Sequence, residues 1–214
     1  MRLYSLCLKL EGRRCLVIGG GNVAKRKVAS LKECGADVLV VSPELCPELA
    51  DRAARGEIQA LQRAFQPEDL EGAALAIAAT DNPAVNQAVA AAGKDAGVLV
   101  NVVDVPDLCD FYVPASVRRG DLEIAVSTTG AFPALAKRLR IELEGQFGPE
   151  YEAYLELLAR FRRELKARIP DAAIRNRAEE AFLDSPALSL LAQHKVHEAE
   201  QVLAECAARF MSDP

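Results

Sequence analysis

The residues best suited to chemistry in this sequence are the glycines after its first apolar run, in CLVIGGGNVAKRK. Gly19, Gly21 and Ala24 form the pattern G-x-G-x-x-A between a strand-like stretch and a helix-prone one. In this setting the first glycine permits a tight turn, the second lets a pyrophosphate approach the backbone, and the small third residue allows close helix packing. The pattern predicts a dinucleotide-binding corner, with a ligand-free glycine turn as the alternative.

The residues that follow indicate which dinucleotide binds. The amides of Asn22 and Val23 open a helix and are suited to phosphate. Sites for NAD usually carry an acidic residue about 20 positions later, but here the second strand ends in Ser42 and Pro43, and Glu44 follows. Ser42 can bind a ribose hydroxyl, and no adjacent arginine invites a 2′-phosphate, so NAD is favoured over NADP. The predicted cofactor contacts are Gly19, Gly20, Gly21, Asn22, Val23, Ser42, Pro43, Thr80 and Val102.

Two acidic residues lie at the ends of later apolar strands, in AATDN and NVVDVPD. Ligands of parallel sheets bind at the carboxyl ends of the strands. Asp81 stands close before Pro83 at a predicted helix start, so it fits a capping role. Asp104 begins no helix and closes the last strand of the parallel domain. We therefore expect Asp104 to be the catalytic residue, with turn capping as the alternative.

The first half of the chain alternates short apolar strands with helices. Strands that are apolar on both faces and separated by helices predict an α/β fold with a Rossmann-like parallel sheet, covered on both sides. The strands are predicted in RCLVIG, ADVLVVS, EIQALQRAF, GAALAIAAT and VLVNVVD. After them FYVPASVRRGDLEIAVST predicts two short strands, and from Pro133 the sequence is almost entirely helical, with breaks at Pro170 and Pro186.

We expect three regions along the chain. They are a Rossmann-like NAD-binding domain over residues 1–110, a small β-containing segment over 111–147, and a C-terminal helical domain over 148–214. The middle segment is too short to hold a core of its own, and its alternating LEIAVS strand would leave an exposed edge unless it is paired. We therefore expect this dimerisation segment to join two copies of the chain in a homodimer.

The composition excludes several classes of protein. Lys and Arg number 26 against 31 Asp and Glu, so the net charge of −5 does not favour nucleic acid or an anionic membrane surface as partner. The N-terminus, MRLYSLCLKLEG, lacks the uninterrupted apolar core of a signal peptide, and no stretch approaches the roughly 20 apolar residues of a membrane span. The six cysteines follow no metal-ligand spacing. We expect a cytoplasmic protein with reduced thiols.

The two histidines are the other candidates for metal binding. His194 and His197 are spaced i, i+3 on a predicted late helix, which would put them on one face of that helix. A zinc site needs at least three protein ligands, and the sequence offers no third one nearby. We therefore expect surface histidines and no metal site.

Five motifs together resemble one enzyme family. They are CLVIGGGNVAKRK, AIAATDNPAVNQAV, NVVDVPD, FYVPASVRRGDLEIAVST and GAFPALAKRLRIELE, in this order and at compatible spacing. The chain resembles, over nearly its whole length, the bifunctional precorrin-2 dehydrogenase and sirohydrochlorin ferrochelatase of siroheme biosynthesis, including the N-terminal half of bacterial siroheme synthase. We expect the methyltransferase half of that synthase to be absent from this chain.

The resemblance implies a reaction and a residue that carries it. It implies NAD-dependent oxidation of precorrin-2 to sirohydrochlorin, followed by insertion of ferrous iron, a substrate, to give siroheme. One aspartate serves both steps, and by motif position it is Asp104 in NVVD. Both steps release protons that a carboxylate can accept. The sequence does not separate this bifunctional enzyme from a dehydrogenase without chelatase activity.

The resemblance also gives the local basic residues a purpose, because the tetrapyrrole substrate carries many carboxylates. Arginine suits bidentate contacts with carboxylates. Hydroxyl groups at a helix entry can bind a carboxylate or cap the helix. The predicted substrate contacts are Ser127, Thr128, Lys137, Arg138 and Arg118. A solvated helix face or turn is the alternative for the basic residues.

A second function remains open at this point, namely an NAD-sensing regulatory domain without catalysis. Such sensors share the glycine-rich βαβ start. They would be expected to keep the acidic residue after the second strand, and they have no need of NVVD or of the STTGAFPALAKR segment. A sensor would bind NAD but would never reduce it, so product formation distinguishes the two functions.

Overall fold

The computed structural model describes residues 3–211 of the 214-residue chain. The chain divides into two compact units, the first ending at Val113 and the second beginning at Pro114. The first unit holds the parallel sheet, and the second holds a β-hairpin followed by helices. The predicted fold class is confirmed. The boundary predicted at residue 148 lies inside the second unit, and the division into three regions stays a prediction.

The first unit is built on a five-stranded parallel sheet in the order β3-β2-β1-β4-β5. The chain winds outward from β1 to β3 and then crosses back to β4, so the winding reverses between β1 and β4. Ligands of such sheets bind beside this point, outside the carboxyl ends of the strands. The strands are β1 (Arg14–Ile18), β2 (Asp37–Val41), β3 (Gln59–Leu61), β4 (Leu75–Ala78) and β5 (Leu99–Val102).

Helices cover both faces of the sheet because the strands are apolar on both faces. Cys15 and Val17 of β1 pack in a core with α1 (Asn22–Glu33) and α2 (Pro47–Ala54). Leu16 and Ile18 point the other way, into a core shared with α3 (Pro83–Ala96). All four strand side chains are at most 2% exposed. Alternation along a strand thus holds the two helical layers on opposite faces.

The start of α3 corrects one sequence prediction. The helix begins at Pro83 after the N-cap Asn82, whose Oδ1 accepts hydrogen bonds from the amides of Ala84 (3.0 Å) and Val85 (3.3 Å). Asn82 is a preferred N-cap residue and lies directly before the proline at the first helical position. The capping role predicted for Asp81 is therefore wrong by one residue.

The second unit contains an antiparallel hairpin and five helices within the described residues. Helix α4 packs against the hairpin. The other four helices share a core that includes Leu165, Phe182 and Leu203, and the predicted breaks at Pro170 and Pro186 fall between helices. The elements are β6 (Ala115–Arg119), β7 (Leu122–Val126), α4 (Pro133–Gln146), α5 (Glu150–Arg168), α6 (Ala172–Leu183), α7 (Ala187–Ala192) and α8 (Val196–Met211).

The two histidines do not share a helix face. His194 lies between α7 and α8 with a φ of 61°, and His197 lies in the first turn of α8. The prediction that both stand on one helix is wrong, because the chain turns through His194 before the helix begins. Across residues 3–211, no three His, Cys, Asp or Glu side chains come together as metal ligands.

None of the helices within residues 3–211 combines the length and the apolar character needed to cross a membrane. The cytoplasmic location stays a prediction.

Candidate functional site

A cleft of about 1030 Å³ opens at the carboxyl ends of the strands of the first unit. Cofactor and ligand pockets typically measure about 300–1,000 Å³, so this one is large enough for an extended ligand. Because the strands are parallel, the loops after them meet at one edge of the sheet. The loops that line the cleft are 19–23, 42–46, 64–65, 79–83 and 103–105.

Two of the three glycines are required by the packing of the protein itself. Gly19 has a φ of +121°, and a Cβ there would overlap the backbone carbonyl of Ala79. A Cβ on Gly20 would overlap the backbone carbonyl of Glu44. The loop after β1 therefore packs through bare backbone against the loops after β2 and β4, and all three loops line the cleft.

Gly21 is different, because among residues 3–211 no atom apart from its own chain neighbours lies within 4 Å of the position of its missing Cβ. It is the N-cap of α1, with extended backbone angles and no side-chain cap. The amides of the first helical turn, including those of Asn22 and Val23, have no acceptor within the helix. Gly21, Asn22 and Val23 all line the cleft. Open space, free amides and the positive end of the helix dipole fit a bound pyrophosphate.

The loop after β2 forms the part of the cleft where the sequence predicted the ribose. Ser42, Pro43 and Glu44 all line it. Ser42 is 8% exposed, and its amide donates to the carbonyl of Leu61 on β3 (3.1 Å). The charged residues among those that line the cleft are Glu44, Asp81 and Asp104, and none of the described lining residues is basic. This charge disfavours a further phosphate on the ribose.

Thr80 lines the cleft as predicted, but its hydroxyl is already used by the protein. The Oγ1 donates to Oδ1 of Asn86 (3.0 Å) and accepts from the amide of Asn82 (3.1 Å). Asn86, which is 5% exposed, donates in return to the carbonyl of Thr80 (3.1 Å). The pair fixes the loop after β4. Asn86 was not predicted from the sequence, although a polar residue one turn beyond the Asn82 cap is a signal for such a contact.

The structure does not bring Val102 to the cleft. Its side chain is 1% exposed and belongs to the core on the α3 face of the sheet. Val103 and Val105 line the cleft instead. The strand ends at Val102, so the chain reaches the cleft only one residue later.

Asp104 lies on the rim of the cleft with an exposed carboxylate. Its φ of 60° is in the left-handed region, which aspartate tolerates better than most residues but which still carries strain. Residues held this way concentrate at functional sites. No helix begins at Asp104, and its side chain caps none of the described turns. The chemical role of Asp104 stays a prediction.

The thiol of Cys109 ties together the turn that carries Asp104. Its Sγ accepts a hydrogen bond from the amide of Val102 (3.2 Å) and donates to the carbonyl of Val102 (3.1 Å). Burial raises the pKa of this thiol, which keeps it protonated and able to donate. Asn101 donates to the carbonyl of Phe111 (2.9 Å) beside it. This function of Cys109 was not predicted, because its position among six scattered cysteines gives no signal in the sequence.

The charge of Asp104 affects the pKa of one lysine. Lys27 on α1 is half-buried, and burial lowers its pKa, with the charge of Arg26 acting in the same direction. The carboxylate of Asp104 opposes this shift, so the ammonium lies within the electrostatic field of the proposed catalytic group.

The predicted substrate contacts lie in the second unit, where several already have partners. The Oγ of Ser127 accepts from the amide of Thr129 (3.1 Å), and Oγ1 of Thr128 accepts from the amide of Phe132 (3.3 Å), which is the N-cap of α4. Lys137 is exposed. Two arginines form surface ion pairs, Arg118 with Glu123 (3.1 Å) and Arg138 with Glu142 (3.0 Å). Their role toward substrate stays a prediction.

Comparison with known proteins identifies the family. Residues 6–115 match the family described as "Putative NAD(P)-binding", and residues 150–206 match the "Sirohaem synthase dimerisation region". The chain is 40% identical over 203 residues to the siroheme synthase of Thioalkalivibrio sulfidiphilus. The chain belongs to the siroheme synthase and precorrin-2 dehydrogenase family. The prediction of a nicotinamide dinucleotide cofactor is confirmed by the NAD(P)-binding match.

The relatives differ in how much of their length this chain matches. The Thioalkalivibrio alignment covers 95% of this chain and 42% of that protein, and the siroheme synthase of Chromobacterium violaceum, at 43% identity, covers 87% and 40%. The chain thus spans about two-fifths of these curated relatives. The solved structure titled "SirC, precorrin-2 dehydrogenase" matches 95% of this chain and 100% of its own, with 27% identity and a TM-score of 0.77.

Proposed function

We propose that this protein oxidises precorrin-2 to sirohydrochlorin with NAD. The observation that carries the proposal is one cleft lined both by the glycine corner and by Asp104. Similarity to a precorrin-2 dehydrogenase over the full length of that chain supports the same reaction. The similarity to siroheme synthases supports a place for this reaction in siroheme biosynthesis, and we propose that it takes place in the cytoplasm.

Different residues of the cleft would bind different parts of NAD. Gly21 and the first amides of α1 would hold the pyrophosphate, and Ser42 and Glu44 offer polar groups to the ribose. When bound, NAD supplies an acceptor for hydride. The acidic lining and the absence of a basic residue from the described lining favour NAD over NADP.

Asp104 would accept the proton that the substrate releases. Oxidation of precorrin-2 removes two electrons and two hydrogens from the substrate, one hydrogen as hydride and the other as a proton. The carboxylate of Asp104, exposed at the rim, would accept the proton at Oδ and release it to solvent. The turn held by Cys109 would keep the carboxylate in one position.

The tetrapyrrole is a polycarboxylate, so we assign its recognition to the predicted basic and hydroxyl residues of the second unit. Arg118 and Arg138 are suited to bidentate contacts, and each would have to give up or share its present glutamate partner. Exposed ion pairs are weak, so such an exchange is cheap.

We also propose that the protein is a homodimer. The match of residues 150–206 to a sirohaem synthase dimerisation region supports a second copy as partner. The segment predicted to dimerise, 111–147, lies outside this match. Sedimentation of the purified protein at micromolar concentration should give a dimer, and a monomer would contradict the proposal.

Insertion of ferrous iron into sirohydrochlorin is a second candidate activity. Identity of 40% to a siroheme synthase over 95% of this chain favours it. Iron would enter as a substrate, and Asp104 would accept the pyrrole protons that it displaces. Incubation with sirohydrochlorin and ferrous iron without oxygen should give the siroheme absorption spectrum faster than iron alone does.

The decisive experiment is a turnover assay with purified protein, precorrin-2 and NAD. We expect NADH and sirohydrochlorin to form in equal amounts, and the absorbance of each product measures its formation. Omission of precorrin-2 is the control for other NAD-reducing activities. If NAD binds by calorimetry but no NADH forms, the alternative of an NAD-sensing regulatory domain is correct instead.

A further inference from the structure

One arginine directly precedes two residues that line the cleft near its predicted ribose end, although Arg63 itself does not line it. Arg63 follows β3, and its amide donates to the carbonyl of Leu61 (3.0 Å), the same carbonyl that accepts from Ser42 (3.1 Å). Ala64 and Phe65, the next two residues, line the cleft. An arginine in this part of a Rossmann-like fold is a group that can bind the 2′-phosphate of NADP.

The guanidinium of Arg63 makes three hydrogen bonds within the protein. Its Nη1 donates to Oδ2 of Asp69 (2.8 Å) and to the carbonyl of Ala64 (2.9 Å), and its Nη2 donates to Oδ1 of Asp69. The two parallel bonds to one carboxylate are the strongest arrangement that an arginine can make with a single acidic residue.

Asp69 is a rigid partner for this arginine. Its side chain is 5% exposed and also accepts from the amide of Gln66 (2.8 Å). The hydrogen bond from Arg63 lowers the pKa of the carboxyl group, against the opposing effect of burial. Asp69 therefore stays charged, and separating it from Arg63 would leave a buried carboxylate without its counter-ion.

We propose that Asp69 is a specificity-determining residue, which selects NAD by keeping Arg63 from a 2′-phosphate. The inference rests on the proposed use of this cleft for a nicotinamide dinucleotide. With Arg63 paired, the charged groups that face the ribose end are acidic, and Glu44 would repel a phosphate. Asp69 acts through Arg63 and does not itself line the cleft.

The test compares the dissociation constants of NAD and NADP in the full chain. Asp69→Asn keeps an acceptor for Gln66 but removes the charge that holds the arginine. Since hydrogen bonds to charged groups are the stronger class, we expect the affinity for NADP relative to NAD to rise by about tenfold or more. A loss of folding alone would change both affinities equally and leave their ratio unmoved.

Three further variants complete the design. Glu57→Gln removes one negative charge beside Arg55, outside the cleft, and should leave the ratio unchanged. Arg63→Gln added to Asp69→Asn should abolish the gain. Arg63→Gln alone should leave NADP binding as weak as in the wild type, and this variant tests the inference even if Asp69→Asn fails to fold.

The outcomes separate the inference from the proposed function. If the wild type binds neither dinucleotide, the cofactor proposal fails. If the wild type binds NAD but Asp69→Asn gains no affinity for NADP, only the inference fails. The inference is also overturned if the gain survives removal of Arg63, or if Arg63→Gln alone weakens NADP binding.

Discussion

The glycine corner of the first unit and the basic residues of the second unit are both predicted to bind ligands, but they differ in whether the protein already uses their polar groups. At Gly21 the chain leaves space and unsatisfied amides. Arg118 and Arg138, in contrast, already have glutamate partners. A site made of bare backbone has few other uses, whereas an arginine can serve a ligand, an ion pair or solubility equally well. The first kind of site is therefore predictable from sequence, and the second is not.

The largest effect is expected at Asp104, which completes the backbone site with a chemical group. Asp104→Asn keeps the size of the side chain but removes its basicity, so NADH formation should fall by about 10² to 10⁴ while NAD still binds. Turnover and NAD calorimetry on the same preparation check both expectations.

The matched control for Asp104→Asn is Asp107→Asn, an exposed carboxylate in the same loop that does not line the cleft. It should retain wild-type turnover. Equal activity in both variants would make Asp104 a structural turn residue and leave the site without its proposed base. Loss of NAD binding in Asp104→Asn would mean that the residue serves the cofactor.

A smaller but still large effect is expected at Gly21. Aspartate there would be a good N-cap for α1, so stability should be unchanged or higher, but its charge would stand against the pyrophosphate. We expect the dissociation constant for NAD to rise by at least about tenfold, which is about 1.4 kcal/mol. Gly145→Asp, at a second glycine with open space, is the control and should bind NAD normally.

Gly20→Ala sharpens this contrast within the corner itself. Its Cβ would overlap the carbonyl of Glu44, so the loops must move apart. Overpacking of this kind typically costs about 1–3 kcal/mol of unfolding free energy. Urea unfolding should show this loss for Gly20→Ala and not for Gly21→Asp. Equal stability of the two variants would refute the distinction between a packing glycine and a binding glycine.

A moderate effect is expected at Cys109, which acts through the position of Asp104. Cys109→Ala removes hydrogen bonds worth about 0.5–1.5 kcal/mol each, so kcat should fall by about two- to tenfold with little change in NAD affinity. Cys109→Ser should recover part of the loss because it keeps a donor and an acceptor. Cys34→Ala, a half-buried cysteine elsewhere in the first unit, should have wild-type kcat.

The smallest effect is expected at Arg138, where a single exposed arginine is one of several proposed carboxylate contacts. Its side chain is 78% exposed, and such contacts are worth about 0.2–1 kcal/mol, so Arg138→Ala should raise KM by no more than about fivefold. Arg162→Ala, which also removes an exposed arginine paired with glutamate, is the control. If both variants raise KM equally, the effect is one of general charge and not of a substrate contact.

Local patterns in the sequence were sufficient for the order of strands and helices and for the glycine corner. Apolar runs of strand length, glycine stops and Pro83 act over a few neighbouring residues, so they are visible without the fold. The place of Asp104 at a strand end also predicted its position in the cleft, while its catalytic role stays a prediction. The bounds of β3, the N-cap at Asn82 and the turn at His194 were not predicted. At each of these places, residues one or two positions apart were similarly suited to mark the boundary.

Only the tertiary structure decided what the side chains around the cleft do. Sequence could not show that Gly20 meets the loop after β2, that Cys109 binds back to Val102, or that Asp69 holds Arg63. Each of these residues has many chemically equivalent candidate partners along the chain, so the sequence alone does not identify the one that it contacts. Gly20 and Glu44 belong to different strand-end loops, which meet only when the parallel strands bring them to one edge of the sheet. Cys109 and Val102 are seven residues apart and Asp69 and Arg63 six, and in both pairs the path of the folded chain between them selects the partner.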